Sequence, residues 1–416
     1  MKVLIVGGGP SGLMCAIKAS EKNDVILIEK NNKVGMKIYI TGKGRCNVTN
    51  NCSPQEVINH VVSNPKFLYS CINNFTSQDT MNFFNERGIE LVTERGNRVF
   101  PYSYKASDIT KALLEQCIKN KVVVKYMETV LSIEKKEEGF LVKTNKSIYL
   151  VDKVVVATGG MSYPHTGSTG DGYLFASSFN IDIVKPIPAL VPLLIEDVIP
   201  KELYNFTFKN VQLSAFNKEN NKLIKKEFGE LMTMKNSIGG PIAISISSII
   251  NRIDYKNIKL EIDFKPNLTN EVLDARIKKD IDELKHKPNA NAFILIRGLC
   301  PNGLIQMILK RINIDGNLKI KLITQEHIDA LINQLKHFEL KYRGLESFDR
   351  AIVTSGGVTT KEINPQKMEV KKVPGLFFVG EVLDVDAFTG GFNMQIALST
   401  GFVCGKYLSD LASENI

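Results

Sequence analysis

The sequence contains no apolar run long enough to cross a bilayer. Its longest uncharged stretch, Ala387 to Gly405, is interrupted by Thr, Asn, Gln and Ser, whereas a membrane-spanning helix needs about 20 mainly apolar residues. The N-terminal segment has only a short apolar run before its first glycines and no small-residue cleavage site, which excludes a secretory signal. We therefore predict a cytoplasmic protein with no membrane contact.

The sequence also lacks cysteine motifs and is not rich in proline. The seven cysteines are scattered and never form C-x-x-C or stand at metal-ligand spacing from a histidine, so no metal site and no disulfide framework is expected. With 15 Pro among 416 residues, and 44% hydrophobic and 23% charged residues, the composition is typical of a globular protein of two or three domains.

The sequence has fewer acidic than basic residues, 44 against 53. The net charge is +9, and 43 of the 53 basic residues are lysines that are spread along the chain. A polyanionic partner would suit this balance. A Lys-rich background composition explains it equally well, and both interpretations stay open at this point.

A dinucleotide-binding pattern opens the chain. An apolar strand at 2–6 leads into Gly7-x-Gly9-x-x-Gly12, a helix is predicted over 13–20, and a buried strand at 25–28 ends at Glu29. The first glycine permits a tight turn, the second lets the backbone approach a pyrophosphate, and the third lets helix and strand pack closely. The helix N-terminus attracts phosphates, and Glu29 is placed to accept hydrogen bonds from ribose hydroxyls.

Two later strands also end at glycines. The strand that begins at Lys153 runs into Thr158-Gly159-Gly160, and the strand after Gly375 ends at Gly380-Glu381. Neither has the G-x-G-x-x-G spacing, so both fit strands of the same sheet whose carboxyl ends meet the cofactor. The nucleotide domain is therefore predicted to be built from both ends of the chain.

Three glycine-rich segments can carry chemistry. The loop from Lys37 to Asn50 is too polar for a core, and its N–H groups could lie along a cofactor ring or phosphate; a solvated turn is the alternative. The segment from Val155 to Gly172 contains His165, which is either a proton donor or a solvated loop histidine. Gly390-Gly391 precedes a helix whose first N–H groups could face a flavin ring, or it is a plain turn.

The pattern changes between the two parts of the nucleotide domain. From about Pro192 to Phe264 short alternating strands are predicted. From Thr269 to about Leu335 the pattern is amphipathic and helical. The apolar residues at helical spacing are Val272, Ile277, Ile281, Leu304, Ile308 and Ile312. This insert is predicted to be a small β domain that carries a helical subdomain.

Four motifs in order, GGGPSG, TGKGRCNVTN, ATGGMSYPHTGSTGDG and GLFFVGEVLDVDAFTGGFNMQIALSTG, resemble the BaiN/YhiN family of FAD-dependent oxidoreductases. The resemblance runs to about Gly405. It implies an α/β fold with a discontinuous Rossmann-like FAD-binding domain, an inserted β-barrel-like domain and a helical subdomain. The expected boundaries are 1–190 for the first part of the FAD-binding domain, 191–265 with 336–346 for the β domain, 266–335 for the helical subdomain, and 347–416 for the second part.

The resemblance also implies which residues contact FAD. They are Gly7, Gly9, Pro10, Ser11 and Gly12 at the pyrophosphate, Glu29 and Lys30 at the ribose, Lys37, Thr41, Gly42, Gly44, Arg45, Cys46 and Asn47 along the pyrophosphate and flavin, Val130 at the adenine, Thr158, Gly159 and Gly160 at the strand end, and Gly380, Glu381, Gly391, Phe392, Asn393 and Met394 at the flavin. Ala387-Phe388 departs from the family, which usually has a glycine and a small or acidic residue there.

Two absences narrow the reaction. Cys46 and Cys52 have five residues between them, so the C-x-x-x-x-C of dithiol reductases is missing. No second G-x-G-x-x-G is present, so NAD(P)H is expected to dock only transiently as the electron donor. Reduction of an activated C=C bond, or oxidation of a small amine or alcohol, remains.

A C=C reductase needs a proton donor on the face opposite the hydride. Cys46 is the first candidate, with Lys43 and Arg45 holding an anionic or carbonyl group. The alternative for Cys46 is a thiol that only packs under the flavin. Tyr163 and His165 are second candidates.

The family resemblance implies several substrate classes on one scaffold: enone steroids, amines, and uridine in ribosomal RNA. The basic charge favours RNA, with a rim formed by Lys209, Lys218, Lys222, Lys225, Lys226 and Lys235. We therefore predict an FAD-dependent reductase of an activated C=C bond, with uridine in ribosomal RNA as the favoured substrate. A small-molecule enone, an amine oxidase and a non-catalytic flavin-binding protein are the alternatives. No oligomeric state is predicted.

Overall fold

The computed structural model describes residues 1–414, which form two compact units. One unit comprises 1–189 with the segment that begins at Ser347, and the other comprises 190–346. The domain boundaries expected from the sequence, including those between the β domain and the helical subdomain, stay predictions. Each unit has its own buried apolar core. Within the described range, no helix is both long and apolar enough to cross a membrane.

A five-stranded parallel sheet forms the centre of the first unit. In order across the sheet its strands are Leu376–Phe378, Lys153–Val156, Lys2–Val6, Asp24–Glu29 and Val123–Tyr126. Val6 is paired with Val156 on one side and with Ile28 on the other, so the carboxyl ends of three strands open on one edge. Open α/β sheets bind ligands at this edge. The predicted Rossmann-type fold is confirmed.

Small antiparallel sheets and α-helices complete this unit. The additional strands are Thr49–Asn50, Leu91–Glu94 and Arg98–Pro101 in one sheet, Val130–Lys135, Phe140–Thr144 and Ile148–Val151 in another, and Ile183–Ala189 with Val353–Val358 in a third. The α-helices are Pro10–Ala19, Pro54–Asn59, Tyr69–Asn74, Ser77–Asn85, Ala106–Lys119, Asp171–Ser178 and Phe392–Glu414. The first helix begins at Pro10, three residues before the predicted start, because proline is well suited to the first turn.

Glycines let the first and last helices of this unit touch along their backbones. A Cβ added at Gly401 would collide with the carbonyl oxygen of Ser11, and one added at Gly405 would lie 2.5 Å from the carbonyl oxygen of Cys15. The small residues of the first helix that meet these glycines, Ser11, Cys15 and Ala19, are buried. The N-terminal glycine turn is thereby fixed against the C-terminal segment.

The second unit is built around an antiparallel sheet. In order across the sheet its strands are Phe338–Leu340, Ile258–Asp263, Thr207–Asn217, Leu223–Thr233, Ser237–Gly239, Leu193–Ile195 and Tyr342–Leu345. The α-helices are Pro241–Ile250, Asn270–Leu284, Ala292–Arg297, Asn302–Arg311 and Gln325–Lys336. Helices therefore occupy the region where amphipathic periodicity predicts them.

Two details predicted for this unit are wrong. The region expected to hold only short strands contains two strands of 11 residues and the helix Pro241–Ile250, which buries Ile242, Ile246 and Ile250. Its isoleucines favour strands in isolation, but packing on one side of the helix overrides that preference. Val272, expected on a buried face, is 52% exposed, because Leu273 takes the buried position.

We expect Gly401→Ala to lower the free energy of unfolding by about 1–3 kcal/mol, the usual cost of overpacking. Glycine to alanine inside a helix normally stabilises by about 0.5–1 kcal/mol, so a loss would report the helix contact. Gly298→Ala is the control, since its φ is −68° and an added Cβ would lie 3.3 Å from its nearest neighbour. Denaturant unfolding of both variants measures the effect. Equal stability of the two would contradict the close contact.

Candidate functional site

A deep cleft lies at the carboxyl edge of the parallel sheet. Its volume is about 1300 Å³, which includes the open mouth, and all of its lining residues belong to the first unit. The ends of three strands contribute Val6, Ile28 and Ala157 to its floor. The cleft is therefore formed by the part of a Rossmann-type sheet that binds nucleotides.

In the glycine turn at the floor of the cleft, Gly7 and Gly12 have no room for a side chain, whereas Gly9 has. Gly7 has φ +106°, and a Cβ there would lie 2.5 Å from the carbonyl oxygen of Ala157. A Cβ at Gly12 would collide with the carbonyl oxygen of Gly7, whereas one at Gly9 would meet nothing within 4 Å. Gly9 thus leaves open space at the start of the helix, where unpaired N–H groups favour an anion. A pyrophosphate fits this arrangement.

Glu29 is a buried carboxylate at the end of the second strand. Its Oε2 accepts a hydrogen bond of 2.8 Å from the Gly8 N–H, and its Oε1 accepts two of 2.8 Å from the backbone and side chain of Asn31. These bonds fix the carboxylate across the glycine turn. A carboxylate has about four acceptor positions, so Glu29 can still accept a ribose hydroxyl.

A half-buried ion pair joins two distant segments at the cleft. Lys37 Nζ lies 2.6 Å from Glu381 Oε2 and 2.5 Å from Ser162 Oγ. Glu381 Oε1 accepts hydrogen bonds from Ser162 Oγ at 2.6 Å and from the Thr354 N–H at 2.9 Å. Burial acts to raise the pKa of Glu381, but the Lys37 charge and these hydrogen bonds together hold the pKa below its ordinary value. Glu381 is therefore an anion at neutral pH.

The glycine-rich loop beyond Lys37 follows the rim. It forms the 3₁₀ helix Ile38–Gly44, which is broken by non-helical torsions at Thr41, Gly42 and Lys43. Thr41 lines the cleft. Arg45 instead forms an ion pair with Glu94 at 3.0 Å and does not line the cleft.

Cys46 lies in the core and not at the cleft wall. It is fully buried, and this burial raises the pKa of its thiol to about 12 although a hydrogen bond with Thr41 acts to lower it. Beside it, the buried Oδ1 of Asn47 has no hydrogen-bond partner. A buried acceptor without a donor is costly, so Asn47 Oδ1 is available to a ligand N–H or hydroxyl.

The glycine pair Gly390-Gly391 directly precedes the last helix, and Gly391 lies against Asn47 and Thr49 of this loop. Gly391 has φ +100°, and a Cβ there would collide with the carbonyl oxygen of Thr49 and lie 2.9 Å from Asn47 Oδ1. Asn393 accepts from the Ala387 N–H at 2.9 Å and donates to the Ala387 carbonyl at 2.7 Å. At Ala387, where the sequence departs from the family that it resembles, the backbone is thus held by Asn393.

The other proton-donor candidates, Tyr163 and His165, do not line the cleft, although the next residue, Thr166, does. His165 is exposed, with its ring 5.8 Å from that of Tyr163. Tyr163 is half-buried and has φ +52°. Burial raises the pKa of its hydroxyl, although Arg350 acts to lower it.

The structure brings together slightly more than half of the predicted cofactor residues. Those that line the cleft are Gly7, Gly9, Pro10, Ser11, Glu29, Lys30, Lys37, Thr41, Val130, Thr158, Gly159, Glu381, Asn393 and Met394. Those that do not are Gly12, Gly42, Gly44, Arg45, Cys46, Asn47, Gly160, Gly380, Gly391 and Phe392, and neither do Lys43 and His165. All four predicted catalytic residues are thus outside the lining, and their roles stay predictions.

Several residues that line the cleft were not predicted from the sequence. The polar residues missed include Asn31, Glu128, Thr129, Thr166, Ser168 and Asp171. Asn31 follows Glu29 by two residues and Thr129 precedes Val130, so proximity to predicted residues was the available signal. Lys30 Nζ lies 2.7 Å from Asp171 Oδ2, a pairing across the cleft that sequence alone does not give.

These features together fit FAD. The phosphate end has Gly9 and a helix N-terminus, and the ribose end has Glu29. The acceptor at Asn47 and the helix start after Gly391 lie outside the lining and against each other. The first turn of that helix contributes Asn393 and Met394 to the lining. The cleft joins the first and second of these regions in one continuous volume that also includes Glu381 and Met394.

Comparison with known proteins gives a family match over nearly the whole chain. The family model described as HI0933-like protein Rossmann domain matches residues 1–407. The ribosomal RNA dihydrouridine synthase of Escherichia coli strain K12 is 30% identical over 407 residues, which are 97% of each chain. The 3-dehydro-bile acid delta(4,6)-reductase of Clostridium scindens is 27% identical over 410 residues, 97% of this chain and 98% of the relative.

Solved structures share the fold at low identity. The 3-ketosteroid-delta4-(5alpha)-dehydrogenase of Rhodococcus jostii RHA1 superposes with a TM-score of 0.52 at 14% identity, over 98% of this chain and 97% of that one. The 3-ketosteroid delta1-dehydrogenase of Sterolibacterium denitrificans gives 0.53 at 12% identity, over 98% and 99%.

The Lys37–Glu381 pair leads to a pH-dependent prediction. A carboxylate whose pKa is lowered on folding stabilises the protein above its ordinary pKa, and this stabilisation is lost as the pH falls through the folded pKa. We expect Glu381→Gln to cost about 2 kcal/mol at neutral pH, with the cost shrinking as the pH falls below about 4.5.

Denaturant unfolding at a series of pH values measures this cost. Glu115→Gln, which removes an exposed partner of Lys111, is the control and should change stability by less than about 1 kcal/mol. A cost for Glu381→Gln that does not change with pH would show that the ion pair does not supply it.

Proposed function

The chain belongs to the family of HI0933-like proteins, and from that premise we propose that it is an FAD-dependent oxidoreductase that reduces an activated C=C bond, with uridine in ribosomal RNA as its favoured substrate. The observation that carries the proposal is the cleft at the sheet edge, where the glycine turn at Gly7 and Gly9, the carboxylate of Glu29 and the ion pair of Lys37 with Glu381 line one volume.

The chain's own residues would hold the cofactor in three places. The turn at Gly9 and the helix that begins at Pro10 would bind the pyrophosphate. Glu29, fixed by Gly8 and Asn31, would accept the ribose hydroxyls. Bound FAD would supply the hydride that a C=C reduction needs.

Reduction of a C=C bond is favoured because two relatives that match 97% of this chain carry names of that chemistry. One name denotes dihydrouridine formation and the other a delta(4,6) reduction. In both, a double bond conjugated to a carbonyl gains a hydride and a proton. The amine oxidase alternative has no such support among these relatives.

RNA is favoured over a small molecule because of charge. The protein carries a net charge of +9, and phosphate contacts are the main source of affinity for nucleic acid. The predicted lysine rim falls on one hairpin of the second unit, formed by Thr207–Asn217 and Leu223–Thr233 and the residues next to them. Five of its six lysines are exposed, and Lys225 lies 3.1 Å from Glu227.

A small-molecule enone is the second candidate. It is supported by the bile acid reductase, whose identity of 27% is close to the 30% of the RNA-modifying relative. We propose NAD(P)H as the electron donor for either substrate. Because the sequence has no second dinucleotide motif, NAD(P)H would dock only transiently. A ribosomal RNA substrate would place the protein in the cytoplasm.

Deletion of the gene in its own host tests the substrate. We expect purified ribosomal RNA from the deletion strain to lack dihydrouridine at one site, as read by mass spectrometry of nuclease fragments. The wild-type gene should restore the site, and Glu29→Ala should not, because it removes the anchor of the glycine turn. Unchanged dihydrouridine in the deletion strain would reject the RNA substrate and favour the enone.

The buried position of Cys46 leads to a prediction about the proton donor. We expect Cys46→Ala to retain dihydrouridine formation within about threefold of wild type, because its thiol does not line the cleft and general acid catalysis contributes about 100-fold or more. Cys71→Ala is the matched control, since Cys71 is also fully buried with its pKa raised to about 12 by burial. A loss of about 100-fold confined to Cys46→Ala would establish Cys46 as the donor.

A further inference from the structure

A surface rich in tyrosine and arginine lies beside the cleft in the first unit. We define it as the tyrosine–arginine surface, which consists of Arg45, Arg95, Arg98, Tyr102, Tyr104 and Lys105. Tyr102 is 63% exposed, more than any other tyrosine of the chain, and Tyr104 is 41% exposed. Single exposed apolar residues are ordinary on protein surfaces. Here, two exposed rings lie two residues apart in the sequence, and cations surround them.

Arginines hold the inner part of this surface in place. The Arg45 guanidinium lies 4.4 Å from the centroid of the Phe100 ring and 5.4 Å from that of Tyr104. Glu94 accepts ion pairs from Arg45 at 3.0 Å and from Arg98 at 3.7 Å. Stacking and pairing therefore orient the side chains before any ligand arrives, which lowers the entropic cost of binding.

Positive charge exceeds negative charge on these segments. Over 43–45 and 90–108 the cations are Lys43, Arg45, Arg95, Arg98 and Lys105, and the carboxylates are Glu90, Glu94 and Asp108. Glu94 is already shared by two arginines, and Asp108 accepts a hydrogen bond from Ser103 Oγ at 2.5 Å. Arg95 and Lys105 are exposed. Their charges are therefore presented to solvent.

The surface adjoins the rim of the cleft. Thr41 lines the cleft, and a Cβ on the next residue, Gly42, would lie 3.2 Å from the ring of Phe100. The strand that contains Phe100 is hydrogen-bonded to the end of the same loop, from the Val48 N–H to the Val99 carbonyl at 2.8 Å. A polymer bound at the surface can thus reach the cleft over a short path.

We propose that the tyrosine–arginine surface binds a single-stranded segment of RNA, with nucleobases stacked on Tyr102 and Tyr104 and phosphates at Arg95 and Lys105. The inference rests on the proposed function, because a uridine must leave its base stack before an enzyme can reduce it. Aromatic rings beside cations are the chemistry that holds unpaired bases and their backbone. The excess of cations over carboxylates on these segments favours a polyanion over a protein partner.

Binding of RNA by the FAD-loaded protein tests the inference. The probe is a short, fluorescently labelled, uridine-rich single strand, and anisotropy gives the Kd over a range of salt concentrations. We expect Tyr102→Ala to raise the Kd about tenfold and Tyr102→Phe to leave it unchanged, because stacking needs the ring and not the hydroxyl. Tyr102→Ala should not change the slope of log K against log salt.

The slope of log K against log salt distinguishes a phosphate contact from base stacking. Arg95→Ala should reduce the slope by about 0.7, the value for one phosphate contact on a single strand. Tyr69→Ala, which removes a tyrosine that is 43% exposed elsewhere in the same unit, should change neither the Kd nor the slope. Flavin absorbance and the thermal unfolding midpoint verify that the variants are folded and loaded.

The outcomes separate this inference from the proposed function. Suppose that the wild-type gene restores dihydrouridine to the deletion strain. If Tyr102→Ala then binds RNA as tightly as wild type and also restores dihydrouridine, the surface is not the RNA site, although the proposed function stands. If deletion leaves dihydrouridine unchanged, the proposed substrate fails, and a tenfold loss of RNA binding in Tyr102→Ala would still support an RNA surface. No binding by the wild-type protein overturns the inference.

Discussion

The contact between the first and last helices of the first unit is the constraint on which the cleft depends. Gly401 and Gly405 on one side, and Ser11 and Cys15 on the other, bring two backbones to a separation that leaves no room for a Cβ. Because the glycine turn immediately precedes the first helix, its position is set by this contact. Segments more than 370 residues apart in sequence thereby form one site.

Two carboxylates of the cleft, Glu29 and Glu381, are each held by several hydrogen-bond partners. Glu29 is satisfied by backbone N–H groups and Asn31, and Glu381 by Lys37, Ser162 and Thr354. Removing a charge from water is costly unless partners replace the solvent. The same partners that meet this cost also fix the carboxylates in position before a cofactor binds.

Local signals in the sequence were sufficient for the nucleotide-binding half of the site. The spacing of Gly7, Gly9 and Gly12, with an acid after the next strand, predicts the turn, the helix and the position of Glu29, because these depend on neighbours within one βαβ unit. The helix Pro241–Ile250 could not be predicted in this way, since its β-branched residues favour a strand and only tertiary packing makes it helical. The burial of Cys46 could not be predicted either, because the polar residues around it in the sequence indicate an exposed loop and only the folded loop covers the thiol.

Substrate choice on this scaffold must lie outside the parts that bind the cofactor. This chain shares 30% of its residues with an RNA-modifying relative and 27% with a bile acid reductase, over nearly the same length. A fold that spans both classes gives no discrimination by itself. The cleft's turn and carboxylates serve any FAD enzyme, so a preference for a polymer needs exposed rings and cations beside the rim. Tyr102, Tyr104, Arg95 and Lys105 are exposed in that place, and on the proposal made above this surface, and not the cleft, would distinguish an RNA substrate from a steroid.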